Sequence, residues 1–419
     1  MLITRRKAAA GAALAAACLG RRSQAAPRPQ KPPEAPLRFG ALFPLTGEAA
    51  LVGDESFRGV VLAANKLNAD GGLLGRQVVL QRADAPDAAH AADQVKALSK
   101  DVAAIFGTGV TSIALAASEE AGLAGVPYFE LTATGAALTG RSIPTVFRTC
   151  PEADAFGIIS VAAVSEVLAP LWRRSARSLR LAVLAESGDL GQAVAAAQAA
   201  ECHRRGLLPA QTLSYAPGTV DFAPLVRPLK VAGIEVLLHT GAANDVVLLY
   251  RAMEEAGWRP RMVIGSGPAY AMTDTRQAVG PALDGTMAAA FPPYAVNPRT
   301  APGAAAVEAA YRTLYGAEPR SGLSLAAYAG AGLFFAAMAR AGTADGPKVR
   351  AAVLASGLPV GTTANGWGAA FNASGQNQAT YALLLQWQQG RPVAIYPEAA
   401  GVARPQAALA PLPAPAKTP

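Results

Sequence analysis

Apolar and polar positions along this chain follow two periods that exchange every ten to twenty residues. Short apolar runs at 39–43, 78–82, 103–106, 127–131, 180–185, 235–239 and 262–265 have the length and bounds of buried strands. Between them, segments such as 88–100, 112–125, 192–205 and 245–257 carry apolar residues at helical spacing. Gly206 and Gly257 stand where two of these helices should stop. The stretch 37–76 shows the unit most fully. A strand at 39–43 leads to a Thr46-Gly47 turn, a second turn at Gly53-Asp54 opens an amphipathic helix, and that helix stops at 68–72. Strands alternating with helices of this length predict parallel sheets joined by right-handed crossovers. The pattern restarts near Arg177, which predicts two doubly wound lobes. After Gly285 the order changes to a strand at 286–291, helices near 301–315, 323–341 and 347–356, and a hairpin of 381–387 and 392–396 around Gln389-Gly390. The fold class is therefore α/β. Its strand-to-helix loops are long and rich in small residues, and open α/β sheets bind ligands at such loops.

At 419 residues the chain is long enough for two domains. Its apolar share of 52% is raised by alanine. No uninterrupted apolar run in the body reaches the ~18 residues of a membrane span. The N-terminus has the character of an export signal: basic residues at 4–7, then twelve apolar residues from Ala8 to Leu19. Arg5-Arg6 hints at twin-arginine export, without the bulky apolar residues that usually follow the pair. Two exits stand open. Ala15-Ala16-Ala17-Cys18 resembles a lipobox and would leave a lipid anchor at Cys18. Ser23-Gln24-Ala25 is a small-x-small site that would release a signal peptide of 1–25. Removing the five basic residues of that segment takes the net charge from +8 to +3. A body so near neutrality has no basic stripe of the kind nucleic acid requires. Residues 26–36 form a proline-rich linker, and the tail 397–419 has the same character, so both are expected to be disordered. Export would place Cys150 and Cys202 in an oxidising compartment. They read either as a disulfide or as two small buried hydrophobes.

The chain carries little that reads as catalysis. His90, His203 and His239 are scattered, and no His/Cys group has zinc spacing. Cys202 and His203 are neighbours on a predicted helix, so their side chains diverge. His239, at a strand end, either reaches a cleft or is structural. The expectation is a protein that is not an enzyme and needs no cofactor or metal. The candidate chemistry lies in two loops. Gly107-Thr108-Gly109-Val110-Thr111-Ser112 follows a strand and opens a helix, where free N–H groups and a partial positive charge favour an anion. Glycine lets a ligand approach the backbone, and Thr111 and Ser112 add hydroxyls. The alternative reading of those two is an ordinary helix cap. A dinucleotide site is a weaker alternative: Glu130 ends the next strand, but Ser112 replaces the third glycine of that fingerprint. The second loop, Leu131-Thr132-Ala133-Thr134-Gly135, offers Thr132 and Thr134, with turn chemistry as the alternative.

Five stretches carry a family resemblance: LTGEAALVGDESFRGVVLAANKLNADGGLLG, IFGTGVTSIALAASEEAGLAGVPYFELTATGAALT, LAESGDLGQAVA, VDFAPLVRPLKVAGIEVLLHTGAANDVVLLYRAMEEAG and ANGWGAAFNASG. Their order and spacing over 37–396 resemble the periplasmic leucine/isoleucine/valine receptor and its relatives, the substrate-binding proteins of branched-chain amino-acid ABC transporters. The resemblance implies a type I periplasmic-binding fold of two Rossmann-like lobes joined by a three-crossing hinge. The crossings map near 148–154, 282–285 and 362–368. Lobe one would be 37–150 plus 285–362, and lobe two 151–284 plus 363–396. It implies that Gly109, Thr111 and Ser112 hold a ligand carboxylate, and that Thr132 and Thr134 meet an amino-acid head group. Leu190 and Ala242 fall where relatives carry aromatic residues, and Gly267 falls where they carry the acid facing the ligand's ammonium. A buried ammonium without a carboxylate costs several kcal/mol. The resemblance therefore points to a carboxylate-bearing ligand that lacks the amine, or to an amino acid whose ammonium meets Asp245, Asp189 or Glu186. The implied protein is a monomeric, extracytoplasmic solute receptor that delivers its ligand to a membrane permease. The alternative is a periplasmic ligand sensor or regulatory binding protein on the same fold.

Overall fold

The computed structural model describes residues 35–411. The expected signal peptide, Cys18 and nearly all of the proline-rich linker lie outside them. Lobe one is built from β1 (Leu37–Phe43), α1 (Ala50–Ala69), β2 (Val78–Asp84), α2 (Ala88–Leu98), β3 (Ile105–Gly107), α3 (Thr111–Leu123), β4 (Tyr128–Glu130), α4 (Ala137–Gly140) and β5 (Val146–Arg148). Its strands form one parallel sheet in the order β2-β1-β3-β4-β5. The chain then enters lobe two through α5 (Asp154–Ala163), α6 (Ala169–Trp172), β6 (Leu181–Glu186), α7 (Asp189–Arg205), β7 (Gln211–Tyr215), α8 (Ala223–Val231), β8 (Val236–Thr240), α9 (Ala243–Glu255), β9 (Met262–Ser266), α10 (Thr273–Val279) and β10 (Met287–Ala290). Next come α11 (Ala304–Tyr315), α12 (Gly322–Ala341) and α13 (Gly346–Leu354), a two-stranded ribbon of β11 (Gly357–Leu358) and β12 (Ala369–Ala370), and the hairpin β13 (Leu383–Gln388) and β14 (Arg391–Tyr396). The second sheet runs β14-β13-β10-β9-β8-β6-β7. Both lobes are thus doubly wound α/β, as the alternating pattern predicts.

Each lobe has its own core. In lobe one, Phe39, Phe106, Phe129, Phe147, Phe334 and Phe335 are buried together, with Phe129 stacked on Phe334 of α12 at 3.9 Å between ring centroids. That contact brings α12 back to the first lobe. In lobe two the strands β8 and β9 are buried along their whole length, and Trp387 donates its indole N–H to the Tyr270 carbonyl at 2.7 Å. A third cluster fills the seam between the lobes: Cys150, Phe156, Phe291, Leu323, Trp367 and Ala382.

Two expected hinge positions move. The strand near 286–291 was placed with lobe one, yet β10 pairs with β9 and β13, so it belongs to the second sheet. Ala295 bridges Val393 of β14 and Asn297 N–H donates to the Ala400 carbonyl, so the second crossing comes after Thr300 rather than lying at 282–285. The third follows the ribbon rather than lying at 362–368. Gln376 accepts from the buried Arg148 guanidinium at 2.6 Å, and Asn377 donates to the Thr149 carbonyl at 3.2 Å. These bonds stitch the third crossing to the first.

The tail departs further from expectation, because residues 397–411 are ordered against lobe two. The Trp172 indole donates to the Ala407 carbonyl at 2.8 Å, the Gln386 side chain bonds both polar groups of the Gln406 backbone, and Ala410 donates to Asp284. Ala400 and Leu409 are buried. Among the described residues both cysteines are free and buried. Cys150 sits in the seam, where its thiol donates to the Ala133 carbonyl at 3.3 Å. Cys202 lies in the lobe-two core, where burial pushes its thiol up to about 11. The apolar lengths also need correction. The helical stretch 154–172 and α12 are each long and apolar enough, by length and composition alone, to cross a membrane. Most of each is buried against the lobes.

A chain ending at Ala403 loses the bonds to Trp172, Gln386 and Asp284. With each net hydrogen bond worth ~1 kcal/mol and the tail's ordering entropy opposing them, the expected loss is about 2 kcal/mol. Urea denaturation of the truncated chain beside the parent measures it.

Candidate functional site

The carboxyl ends of the parallel strands in both sheets face one cleft of about 650 Å³. Loops after β1, β2, β3 and β4 form one wall; loops after β6, β8, β9 and β10 form the other. Seven of the eight residues singled out in the sequence line it: Gly109, Thr111, Ser112, Thr132, Thr134, Leu190 and Ala242. The eighth does not. Gly267 has a φ of +91°, and a Cβ built there would lie 3.1 Å from a Leu190 methyl. Its neighbours Pro268 and Ala269 line the cleft instead.

The lobe-one wall is organised by a residue that sequence reasoning noticed only as a strand end. The Glu130 side chain is fully buried. Its carboxylate accepts N–H bonds from Thr108 (2.6 Å), Gly109 (3.1 Å), Leu131 (3.1 Å), Thr132 (3.0 Å) and Ala133 (2.9 Å). The Tyr128 hydroxyl donates to it as well, at 2.8 Å. Burial pushes the Glu130 carboxyl above the usual range, and these donors pull it back. The signal in the sequence was an acid closing an apolar strand between two loops of Gly and Thr.

This changes what is left for a ligand. The amides of Gly109 and Thr132 are committed to Glu130. The first backbone bond within α3 is from Ala114 N–H to the Val110 carbonyl, at 2.8 Å. The N–H groups of Thr111, Ser112 and Ile113 therefore have no partner within the helix. Val110 occupies the cap position with no side-chain bond, so neither Thr111 nor Ser112 is the cap. The Thr111 hydroxyl accepts from Gly135 N–H at 3.1 Å, which leaves its own hydrogen to donate. The Thr132 hydroxyl pairs with that of Ser56 at 3.1 Å. Gly109 serves by shape: at φ +87° its missing Cβ would lie 3.1 Å from the Thr132 hydroxyl and 3.3 Å from Val52.

The lobe-two wall rests on a hydrogen-bonded row. The hydroxyl of Tyr270 lies 2.5 Å from His239 Nδ1, His239 Nε2 lies 2.9 Å from the Tyr215 hydroxyl, and that hydroxyl donates to Asp245 at 3.1 Å. Asp245 also accepts from Ala242 N–H at 2.9 Å, which fixes the cleft-lining start of α9. A carboxylate only accepts, so Tyr215 donates to it, His239 donates from Nε2, and Tyr270 donates to Nδ1. His239 is thus a buried structural residue and does not reach the cleft, and Asp245 is already engaged. Burial pulls His239 down to about 3.

The charge of the cleft is one-sided. Glu48, Asp87, Glu186 and Asp189 line it, and among the described residues lining it there is no Lys, Arg or His. Asp87 caps α2 and pairs with the His90 ring at 2.8 Å. Glu186 is half-buried, and burial, then Asp245 and Glu48, push its carboxyl above the usual range. Apolar lining comes from Leu51, Val52, Leu190, Met272 and Phe291.

The family described as periplasmic binding protein matches residues 36–391. Leu/Ile/Val-binding protein homolog 8 of Brucella abortus (strain 2308) is 37% identical over 373 residues, which cover 88% of this chain and 93% of the relative. Homolog 7 of the same strain is 36% identical over 374 residues, covering 88% and 94%. Among solved structures, the branched-chain amino acid transporter substrate binding protein LivJ from Streptococcus pneumoniae, in complex with isoleucine, superposes with a TM-score of 0.73. It is 21% identical, over 88% of this chain and 100% of that one. A solute binding protein of an ABC transporter from Rhodopseudomonas palustris BisB5, in complex with 3,4-dihydroxybenzoic acid, gives 0.69 at 20% identity, over 85% and 96%. At these identities the solved structures establish the fold.

His239 yields a pH dependence. Its folded pKa of about 3 lies below the ordinary 6.5, so between those values the unfolded chain takes up a proton that the folded chain refuses. Its contribution is therefore intact above pH 6.5 and is lost as pH falls. Between pH 7 and pH 5 this one group should cost about 2 kcal/mol of stability. Urea titrations of the parent and of His239→Gln measure it. The variant is expected to be less stable at pH 7, with a shallower decline on acidification.

Proposed function

This chain belongs to the periplasmic binding protein family, and on that footing we propose that it captures an amino acid between its lobes and delivers it to the membrane permease of an ABC importer. It is a binding protein and not an enzyme, and its family works outside the cytoplasm. The observation that carries the reading is the polarity of the cleft. One wall offers the first amides of α3 with the hydroxyls of Thr111, Ser112, Thr132 and Thr134; the other offers Glu186 and Asp189. An α-carboxylate is favoured at the first by the free N–H groups and the helix dipole. An α-ammonium is favoured at the second: opposite charges about 4 Å apart attract by ~4 kcal/mol at the effective dielectric of a protein surface. Glu186 thereby takes the part that Gly267 does not fill. Leu51, Val52, Leu190 and Phe291 suit an aliphatic side chain. Closure needs no chemistry, because a ligand that touches both walls binds the closed form better than the open one.

The same charges weigh against the ligand without an amine that the sequence favoured. Such an anion would enter beside four carboxylates with no cation on the lining. Support for it comes from the glycine at 267 and from the dihydroxybenzoic acid of the Rhodopseudomonas neighbour; support for the amino acid comes from the cleft itself and from the names of the Brucella relatives. A sensor on the same fold would bind the same solute and differ only in the protein that receives it.

Calorimetry with leucine, isoleucine, valine and 3,4-dihydroxybenzoate decides. An amino acid is expected to bind at micromolar Kd or tighter and to raise the melting temperature. Replacing Thr111 and Thr134 together by Val should weaken it at least ~100-fold, a loss of about 2.7 kcal/mol. Glu186→Gln should weaken the amino acid at least tenfold and leave dihydroxybenzoate no weaker. Tight dihydroxybenzoate binding with no amino-acid binding would overturn the reading.

A further inference from the structure

We infer that Glu130 is the positioning residue of the ligand site: its buried carboxylate draws the loop after β3 and the loop after β4 into one cradle, and so sets where a ligand's anion is held. The inference rests on the functional reading above. Three observations carry it. The first is the donor set. Five backbone N–H groups from two loops about 22 residues apart converge on one side chain that never reaches the cleft. Remove the carboxylate and the amides of Thr108, Gly109, Thr132 and Ala133 are left without an acceptor in the interior, while Leu131 keeps a second bond to the Gly107 carbonyl at 3.1 Å. The second is contact between the loops. Gly109 lies against the Thr132 hydroxyl, and Thr111 accepts from Gly135 N–H, so a shift of either loop displaces hydroxyls on both. The third is selection among amides. Because Glu130 occupies Gly109 N–H and Thr132 N–H, a ligand anion is directed to the first turn of α3 rather than to the glycine loop. A residue that touches no ligand thereby chooses which donors the ligand meets.

The two oxygens have separate duties. One accepts from Thr108 and Tyr128, the other from Gly109, Leu131, Thr132 and Ala133. Glu130→Gln keeps the shape but turns one oxygen into an N–H₂ donor. Tyr128 can rotate its hydroxyl to accept from that group; Thr108 N–H cannot. The variant should therefore release Thr108 N–H, loosening the start of the loop after β3, while the remaining oxygen still holds Gly109 and 131–133.

The test pairs hydrogen exchange of the ligand-free protein with leucine calorimetry, on the parent, Glu130→Gln and Val95→Ala. Val95 is buried on α2 away from the cleft, and its variant controls for lost stability alone. In Glu130→Gln, the Thr108 amide should exchange at least tenfold faster with those of β1 unchanged, and the leucine Kd should rise at least tenfold. Val95→Ala should change the Kd less than twofold. If Glu130→Gln does not fold, Glu130→Asp, which keeps the charge but is one methylene short, should show the same pattern more weakly. Unchanged exchange at Thr108, or a Kd change no larger than that of Val95→Ala, overturns the inference. If the parent binds none of the amino acids, the functional reading fails separately, and the exchange result alone decides whether Glu130 organises the two loops.

Discussion

The cleft exists because buried carboxylates collect backbone N–H groups that would otherwise go unpaired where strands and helices end. Every parallel strand that stops at the cleft hands the chain to a loop, and a loop near the interior must find acceptors for its amides. Asp84, only half-buried at the end of β2, accepts from Leu45 N–H and the Thr46 hydroxyl, tying the loop after β1. Glu130 ties the loops after β3 and β4, and Asp245 ties the start of α9. Glu55 does the same deeper in, accepting from the Ser324 and Tyr311 hydroxyls and from Arg320 N–H. A carboxylate suits this work because it offers about four lone-pair sites and donates nothing. A neutral side chain in its place would leave several amides without partners.

These ties make each wall rigid, and the seam between the walls is of another kind. It is packed mainly by apolar contact among Cys150, Phe156, Phe291, Leu323, Trp367 and Ala382, with single hydrogen bonds from the Cys150 thiol to the Ala133 carbonyl and from the Trp367 indole to the Tyr381 carbonyl. The polar stitching at the seam joins Arg148, Gln376 and Asn377, which ties one crossing to another. Rigid walls on such a hinge let a small ligand's contacts be spent on closing the lobes. The committed amides also simplify the recognition problem. With Gly109 and Thr132 occupied, the amides left on the lobe-one wall are those that open α3, facing Glu186 and Asp189 of lobe two, while Glu48 and Asp87 add acids on the lobe-one side.

Much of this was legible in the chain. The switch between two hydrophobic periods predicts both sheets, and loops rich in Gly and Thr after apolar strands mark the residues that line the cleft. The rest depends on facts that no local pattern carries. β10 is a run of Met and three alanines, and its lobe is decided by its partners β9 and β13 rather than by its own residues. The tail looks unstructured because it offers only backbone to Trp172 and Gln386, which lie far away in sequence. Gly267 aligns with a ligand-facing acid, but the residues that line the cleft there are its neighbours Pro268 and Ala269. Glu130 looks like a solitary acid until two loops about 22 residues apart fold around it. Position along the chain identified the loops; only the fold shows which amides they have left to give.

A titration of isotopically labelled protein with leucine, followed by backbone amide NMR, tests the two-walled site most directly. The amides of Thr111, Ser112 and Ile113 on one wall and of Glu186 to Leu190 on the other should shift together, with one shared Kd. Shifts confined to one wall, or appearing instead at the separate cavity beside Arg320 and Arg391, would contradict it.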